Sequence, residues 1–192
     1  ISELDMLPFC DYIVHFAAES HVDNSIRDSS PFIQSNIIGT YNLLRLLIKS
    51  KTDNMVHFWH SKIPIFVYIG TDEVFGDIEK GFFKEDDRYN PSNPYSASKA
   101  AAELLVKSWS RTYGIQYKIT RTTNNYGERQ HPEKLIPMAI TQALSNKKII
   151  IHGDGSYIRN WIYVKDNCEA IYTIMKKGTL NQDYHISSNE EY

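Results

Sequence analysis

Tyr95-Ser-Ala-Ser-Lys99 sets a phenol and an ammonium four residues apart, which on a helix puts both on one face. An ammonium that close favours phenolate and lowers a tyrosine from about 10 toward the working range. A tyrosinate is a competent general base for an alcohol proton. Alone the pair is a weak signal, because Tyr-x-x-x-Lys also arises as a plain surface pair on many helices. Gly70-Thr-Asp-Glu-Val-Phe-Gly76 strengthens it. This segment closes a strand-like run, and in open α/β sheets ligands bind beyond the carboxyl ends of the strands. Asp72 and Glu73, beside Thr71, offer two carboxyls whose surroundings can separate their pKa values into one acid and one base. A solvated turn is the bland alternative for such a doublet. With Tyr95 and Lys99 only a loop away, a shared site is the better reading.

The elements that must position these groups alternate along the chain. Asp11-Tyr-Ile-Val-His-Phe-Ala reads as a buried parallel strand. Ser30-Pro31 supplies an N-cap and an N1 proline, and Ile33, Ile37, Tyr41, Leu44 and Ile48 follow at helical spacing to about Ser50. Ile63 to Gly70 is a second strand, rich in β-branched and aromatic residues. Asn93-Pro94 opens an Ala-rich helix through Trp109, with Gly114 as its stop. Gln116 to Thr120 is a third strand. Pro132 starts a further helix with Leu135, Ile136, Ala139, Ile140 and Ala143 turned inward. Short strands near Lys148–His152 and Trp161–Val164, a helix over Asp166–Lys177 and a strand at Tyr184–Ser187 follow. Strand–helix alternation of this kind predicts a parallel, doubly wound α/β sheet.

Composition narrows the function classes. The 192 residues carry 21 basic and 23 acidic side chains, a net charge of −2. That balance offers no basic stripe for nucleic acid and no polybasic membrane anchor. The longest apolar stretch, Ile37 to Ile48, is interrupted by Asn42 and Arg45 and is too short to span a bilayer. Two cysteines, Cys10 and Cys168, favour a reducing cytoplasm over a disulfide scaffold. His57 and His60 lie in a polar loop with no third ligand near, so no metal is expected. None of the nine glycines gives the G-x-G-x-x-G spacing of a dinucleotide turn. The expectation is therefore that both ends extend further, the front by at least one βαβ unit of roughly 30 residues.

Phe16-Ala-Ala-Glu-Ser-His-Val-Asp23, Thr71-Asp-Glu-Val-Phe-Gly76, Pro94-Tyr-Ser-Ala-Ser-Lys-Ala100, Asn124-Asn-Tyr-Gly127, Pro132-Glu-Lys-Leu-Ile-Pro137 and Arg159-Asn-Trp-Ile-Tyr-Val164 stand in one order and spacing. In both, the chain resembles the nucleotide-sugar 4,6-dehydratases of the extended short-chain dehydrogenase/reductase superfamily. The likeness covers nearly the whole chain. Three departures stand out: the family's Gly-rich turn and most of its C-terminal substrate lobe are absent, and Phe75 stands where the family usually has Tyr.

The resemblance implies a Rossmann-like doubly wound sheet with the start of a smaller substrate lobe. Residues 1–125 would be part of the NAD-binding domain, and 126–192 interleaved sheet and substrate-lobe segments. It implies NAD as cofactor and dehydration of a nucleoside-diphosphate glucose, dTDP- or UDP-linked, an early step in deoxysugar biosynthesis. Tyr95, activated by Lys99 and helped by Thr71, would take the 4-hydroxyl proton while the C4 hydride passes to NAD. Glu73 would remove the C5 proton, Asp72 would protonate the departing 6-hydroxyl, and the hydride would return to C6. Ala17, Ala18, Glu19, Ser20, Ser35 and Asn125 would line the cofactor together with Tyr95 and Lys99. Ser20, Thr71, Asp72, Glu73, Asn124, Lys134, Leu135, Ile150, Ile151, His152, Arg159 and Asn189 would face the substrate, with Arg159 the natural phosphate donor. A homodimer through the helices opening at Pro31 and Pro94 is implied in the same way.

A 4-epimerase or decarboxylase on the same scaffold shares the Tyr95/Lys99 oxidation. Neither needs an acid–base pair to eliminate water, which is what the Asp72-Glu73 doublet offers. A non-catalytic nucleotide-sugar-binding protein has no need of any of the four groups.

Overall fold

The computed structural model describes residues 7–8, 10–52, 63–78, 81–149, 155 and 158–188. His57 and His60 lie outside them. Strand β1 (Tyr12–His15) is followed by a short helix α1 (Val22–Arg27), one turn α2 (Ser30–Phe32), a π-helical stretch over Ile33–Ile38, and α3 (Gly39–Thr52). Then come β2 (Ile65–Thr71), a 3-10 turn over Asp72–Phe75, α4 (Pro94–Tyr113), β3 (Tyr117–Thr122), β4 (Asn124–Tyr126), α5 (Leu135–Leu144), β5 (Trp161–Tyr163), α6 (Val164–Lys177) and β6 (Gln182–Ile186). Four strands form one sheet in the order β1-β2-β3-β6, every pair parallel. β4 and β5 form a separate parallel pair. The α/β Rossmann-like architecture is the one expected.

Side-chain alternation explains the layering. Phe66 and Tyr68 of β2 point to one face, where Leu43, Leu44, Leu47, Ala102, Val106, Ile115 and Ile119 close over them from α3, α4, β3 and the turn between α4 and β3. Ile69 points to the other face and packs with Ile162, Ile171, Ile174 and Ile186 beneath α6. Helices thus cover both faces, and burying a side chain such as Leu44 or Phe66 contributes about 1.5–3 kcal/mol. α4 carries strong end signals. Asn93 accepts the Ser96 amide at 2.9 Å while Ser96 Oγ accepts the Asn93 amide at 3.3 Å, a reciprocal capping box. Gly114 takes the left-handed conformation (φ 72°) that stops the helix.

Two expectations shift. The N-cap of α2 is Ser29 rather than Ser30. α5 begins at Leu135 rather than Pro132, because His131–Lys134 close a turn through the Lys134 amide and the His131 carbonyl (3.0 Å). No residue of α5 is buried, and Leu135, Ile140 and Leu144 are 50%, 55% and 82% exposed. Helical period identifies the apolar face but not whether another element covers it. The strand expected near Lys148–His152 lies largely outside the described residues. No helix among the described residues is long and apolar enough to cross a membrane.

Candidate active site

The carboxyl ends of β1, β2 and β3 open onto one edge of the sheet. β2 runs out through Thr71, whose hydroxyl accepts the Glu73 amide (3.3 Å) and donates to Asp72 Oδ1 (3.3 Å). This small cap starts the 3-10 turn that holds both carboxyls. α4 enters the same edge at Asn93. The Asn93 amide works at both ends: its oxygen caps α4, and its side chain also hydrogen-bonds Glu73. Tyr95 is buried two residues on, its backbone N–H donated to Ser25 Oγ of α1 (3.2 Å), and its phenol hydrogen-bonded to Thr71.

The two carboxyls differ in their surroundings. Burial, with the charge of Glu73 added, pushes Asp72 up to about 6, against the pull of the Thr71 hydroxyl. Burial also raises Glu73, but Asn93, Arg159 and Lys134 draw it back toward the ionised form. Asp72 is therefore the better proton donor of the pair and Glu73 the better base.

The phenol departs from the sequence expectation. Burial, then the charges of Glu73 and Asp72, hold Tyr95 well above the ordinary phenol range. The ammonium four residues on does not offset them. Lys99 Nζ donates to the Ile69 carbonyl at 2.6 Å and lies 4.4 Å from the Tyr68 ring centroid, so it is directed at β2. Burial draws Lys99 down to about 8.

Lys134 and Arg159 both face Glu73 electrostatically, although they stand on different segments. Lys134 Nζ also donates to the Ser20 carbonyl (2.9 Å) and Ser20 Oγ (3.4 Å). Ser20, Glu73, Lys134 and Arg159 are thus brought to one side of the site. Ala17, Ala18 and Glu19 form the loop that leaves β1. Asn124 and Asn125 follow β3, on β4. Leu135 follows Lys134 at the start of the exposed α5. Ile150, Ile151, His152 and Asn189 lie outside the described residues.

Ser35 is half-buried, and its neighbour is the better connected residue. Asn36, 1% exposed in the π-helical stretch, accepts the Glu19 amide (2.8 Å) and donates to the Glu19 carbonyl (3.0 Å) and Ser98 Oγ (2.8 Å). One side chain thereby ties the 17–20 loop to the helix of Tyr95 and Lys99. π-Helical insertions are frequent at functional sites, but nothing in the spacing of Ser35-Asn36 announces these bonds.

Whether NAD fits can be judged from the donor and acceptor set. Asn125 Nδ2 is taken by Thr122 Oγ1 (3.2 Å) and the Thr123 carbonyl (3.1 Å), which leaves its buried Oδ1 without a hydrogen bond among the described residues. An orphaned amide acceptor, a buried ammonium and the open end of β1 on one edge suit a ligand carrying amide, hydroxyl and phosphate groups. The residues present fit it.

The Asp72 environment has a stability consequence. Its folded pKa (about 6) exceeds the unfolded value of 3.8, so folding favours the protonated carboxyl and stability falls as pH rises from about 4 through 6. Asp72→Asn is expected to stabilise the fold by roughly 3 kcal/mol at pH 8 and by nothing near pH 2. Thermal unfolding of the two proteins at both pH values measures this, and an equal difference at both would contradict it.

A family model described as GDP-mannose 4,6 dehydratase matches residues 8–192. The chain is 46% identical over 187 residues to the low-salt glycan biosynthesis protein Agl12 of Haloferax volcanii, covering 97% of this chain and 57% of that protein. It is 44% identical over 189 residues to a dTDP-glucose 4,6-dehydratase of Haemophilus influenzae, covering 94% and 54%. Among solved structures it superposes on DesIV, a dTDP-glucose 4,6-dehydratase of Streptomyces venezuelae with NAD bound, at a TM-score of 0.87 and 40% identity over 95% of this chain and 53% of that one. UDP-glucuronic acid 4-epimerase of Bacillus cereus, in complex with UDP-glucuronic acid and NAD, gives a TM-score of 0.83 at 29% identity over 95% and 55%. The chain spans about half the length of the curated relatives it matches.

Proposed function

The chain belongs to the GDP-mannose 4,6 dehydratase family, and from that premise we propose that the intact protein dehydrates dTDP-glucose to its 4-keto-6-deoxy derivative with NAD as a recycled cofactor. The observation that carries this reading is the unequal carboxyl pair, Asp72 and Glu73, beside Tyr95 at the end of β2. The epimerases among the similar structures are less alike in sequence than the dehydratases, and their chemistry has no water to eliminate.

In this reading Tyr95 would accept the proton of the sugar 4-hydroxyl as tyrosinate, its own proton having left to solvent under positive charge brought near the ring, with Thr71 holding the phenol oxygen in place. NAD, when bound, would supply the acceptor for the sugar C4 hydride and the donor that returns it at C6. The 4-ketone acidifies the C5 proton, which the Glu73 carboxylate removes. Asp72, whose raised pKa (about 6) leaves a protonated fraction available near neutral pH, donates to the leaving 6-hydroxyl. Lys134 and Arg159 hold the diphosphate, and Ser20 is oriented toward it by the Lys134 contact. Ala17, Ala18, Glu19, Lys99 and Asn125 line the cofactor, and Asn124 the sugar. The reaction is redox-neutral overall, a hydro-lyase step.

The same reading makes the intact protein a cytoplasmic homodimer, supported by its two free thiols and by apolar surface on the α3/α4 face. There Tyr41, Leu104 and Tyr113 are 39%, 56% and 42% exposed.

The test is incubation of the intact protein with dTDP-glucose or UDP-glucose and NAD, reading the alkali-induced absorbance of the 4-keto product. Product from dTDP-glucose at the higher rate is expected. No product from either, with the protein folded, would sink the proposal.

A further inference from the structure

Lys99 is buried, so its charge has to be answered from within the fold. The titratable and charged groups facing it are His15 from β1, Tyr68 from β2 and Glu103 from α4, with Tyr95 one turn before it on the same helix. His15 is neutral. Burial and the Lys99 charge hold its imidazole down to about 4, and Thr40 Oγ1 lies 3.0 Å from Nε2. Thr40 gives its own proton to the Asn36 carbonyl, so the ring nitrogen is the donor. Both phenols are held neutral by burial.

Glu103 remains. It stands one turn beyond Lys99 on α4 and is 0% exposed. Its Oε2 accepts from Arg121 Nε (3.0 Å) and the Tyr89 hydroxyl (2.8 Å). Its Oε1 is buried without a hydrogen bond among the described residues. A Cβ at Gly70 would fall onto that oxygen, so the carboxylate lies against β2 at the residue following Ile69. Lys99 reaches the Ile69 carbonyl. The orphaned oxygen and the ammonium therefore converge on the same Ile69–Gly70 step. Beyond Glu103 the charges alternate outward, through Arg121 (2.9 Å), Asp183 (2.6 Å from Arg121) and Lys107 (2.6 Å from Asp183), where the lysine side chain is 33% exposed.

We propose that Glu103 is a positioning residue for Lys99: its buried carboxylate, fixed by Arg121 and Tyr89, keeps the neighbouring ammonium charged and seated on the Ile69 carbonyl. Gly70 is the residue that admits the carboxylate to that place. Burial works against the ammonium and Glu103 works for it. The consequence for catalysis rests on the dehydratase reading. The charge-holding role does not.

The experiment tracks the titration of Lys99 itself, in the intact protein carrying lysine labelled with 13C at Cε and 15N at Nζ, the resonance being assigned by its loss in Lys99→Arg. The midpoint is expected near 8 in the native sequence. It should fall by at least one pH unit in Glu103→Gln and return most of the way in Glu103→Asp. If Glu103→Gln does not fold, Glu103→Gln/Arg121→Met removes both buried charges together and should show a smaller fall in the same direction. A merely structural Glu103 would lower the unfolding temperature and leave the midpoint in place, and an unmoved midpoint overturns the proposal. If Glu103→Gln shifts the midpoint while the native protein makes no 4-keto sugar, this role stands and the dehydratase reading is overturned instead.

Discussion

Tyr95→Phe is expected to stop the reaction before anything happens at C5. Loss of a positioned proton acceptor costs about 10²–10⁴ in rate. Phenylalanine keeps the ring that packs edge-on against Phe32 (centroids 6.4 Å apart) and removes only a hydroxyl bonded to Thr71. Folding stability should therefore change little, and the loss should appear in kcat. The measurement is mass spectrometry of dTDP-glucose recovered from D2O. The variant should return it unlabelled, because C5 exchanges only after C4 is oxidised. Deuterium entering C5 at the native rate would remove Tyr95 from its role. The high phenol pKa sharpens this expectation. Burial and two carboxylates oppose tyrosinate, so proton acceptance has to be coupled to positive charge brought near the ring. Lys99, aimed at Ile69, does not supply that charge by direct contact.

That misfit shows where sequence reasoning stops. Spacing of four residues fixes Tyr95 and Lys99 on one helical face, but Lys99 has a long stem whose end is steered by the β2 carbonyl and the Tyr68 ring. Elements with local signals were readable: β2 from its β-branched run, α4 from the Asn93 cap and the Gly114 stop. The six-residue α1, the three-residue β4 and the π-helical stretch carry no period long enough to read, since tertiary contacts decide them. Thr71, Asp72, Glu73, Tyr95 and Lys99 were legible because each stands at the end or start of a readable element.

Residues missed by sequence are those whose partners are distant along the chain. Asn36 acts through Glu19 and through Ser98, 62 residues away. Glu103 is bound by Arg121, 18 residues away, which in turn holds Asp183 another 62 residues on. Asn93 could be read as a cap, but its second bond, to Glu73, depends on where β2 ends. The composition of α4 held one clue. A glutamate on the buried, Ala-rich face after Lys99 has no solvent to reach, and a buried carboxylate requires a cation from elsewhere.

Glu73→Gln is expected to let C4 oxidation proceed and to block the elimination of water. Glutamine preserves the size of the side chain and an oxygen for Asn93, but it has no lone pair basic enough to take the C5 proton. The resulting loss of deoxy product should be about 10²–10⁴-fold. Quenching the enzyme with borodeuteride should trap deuterium at C4 of a sugar that still bears its 6-hydroxyl, and C5 should stay unlabelled in D2O. Asp72→Asn leaves the base in place and removes the donor to the leaving group. It should therefore allow C5 exchange while product still fails to form. The pair thus divides one reaction at two successive bonds, C5–H for Glu73 and C6–O for Asp72. An epimerase-like site, which breaks neither bond, would show no such division. Product formation by Glu73→Gln at the native rate would take the C5 base assignment from Glu73, and C5 exchange lost equally in both variants would mean that the two carboxyls act as one unit.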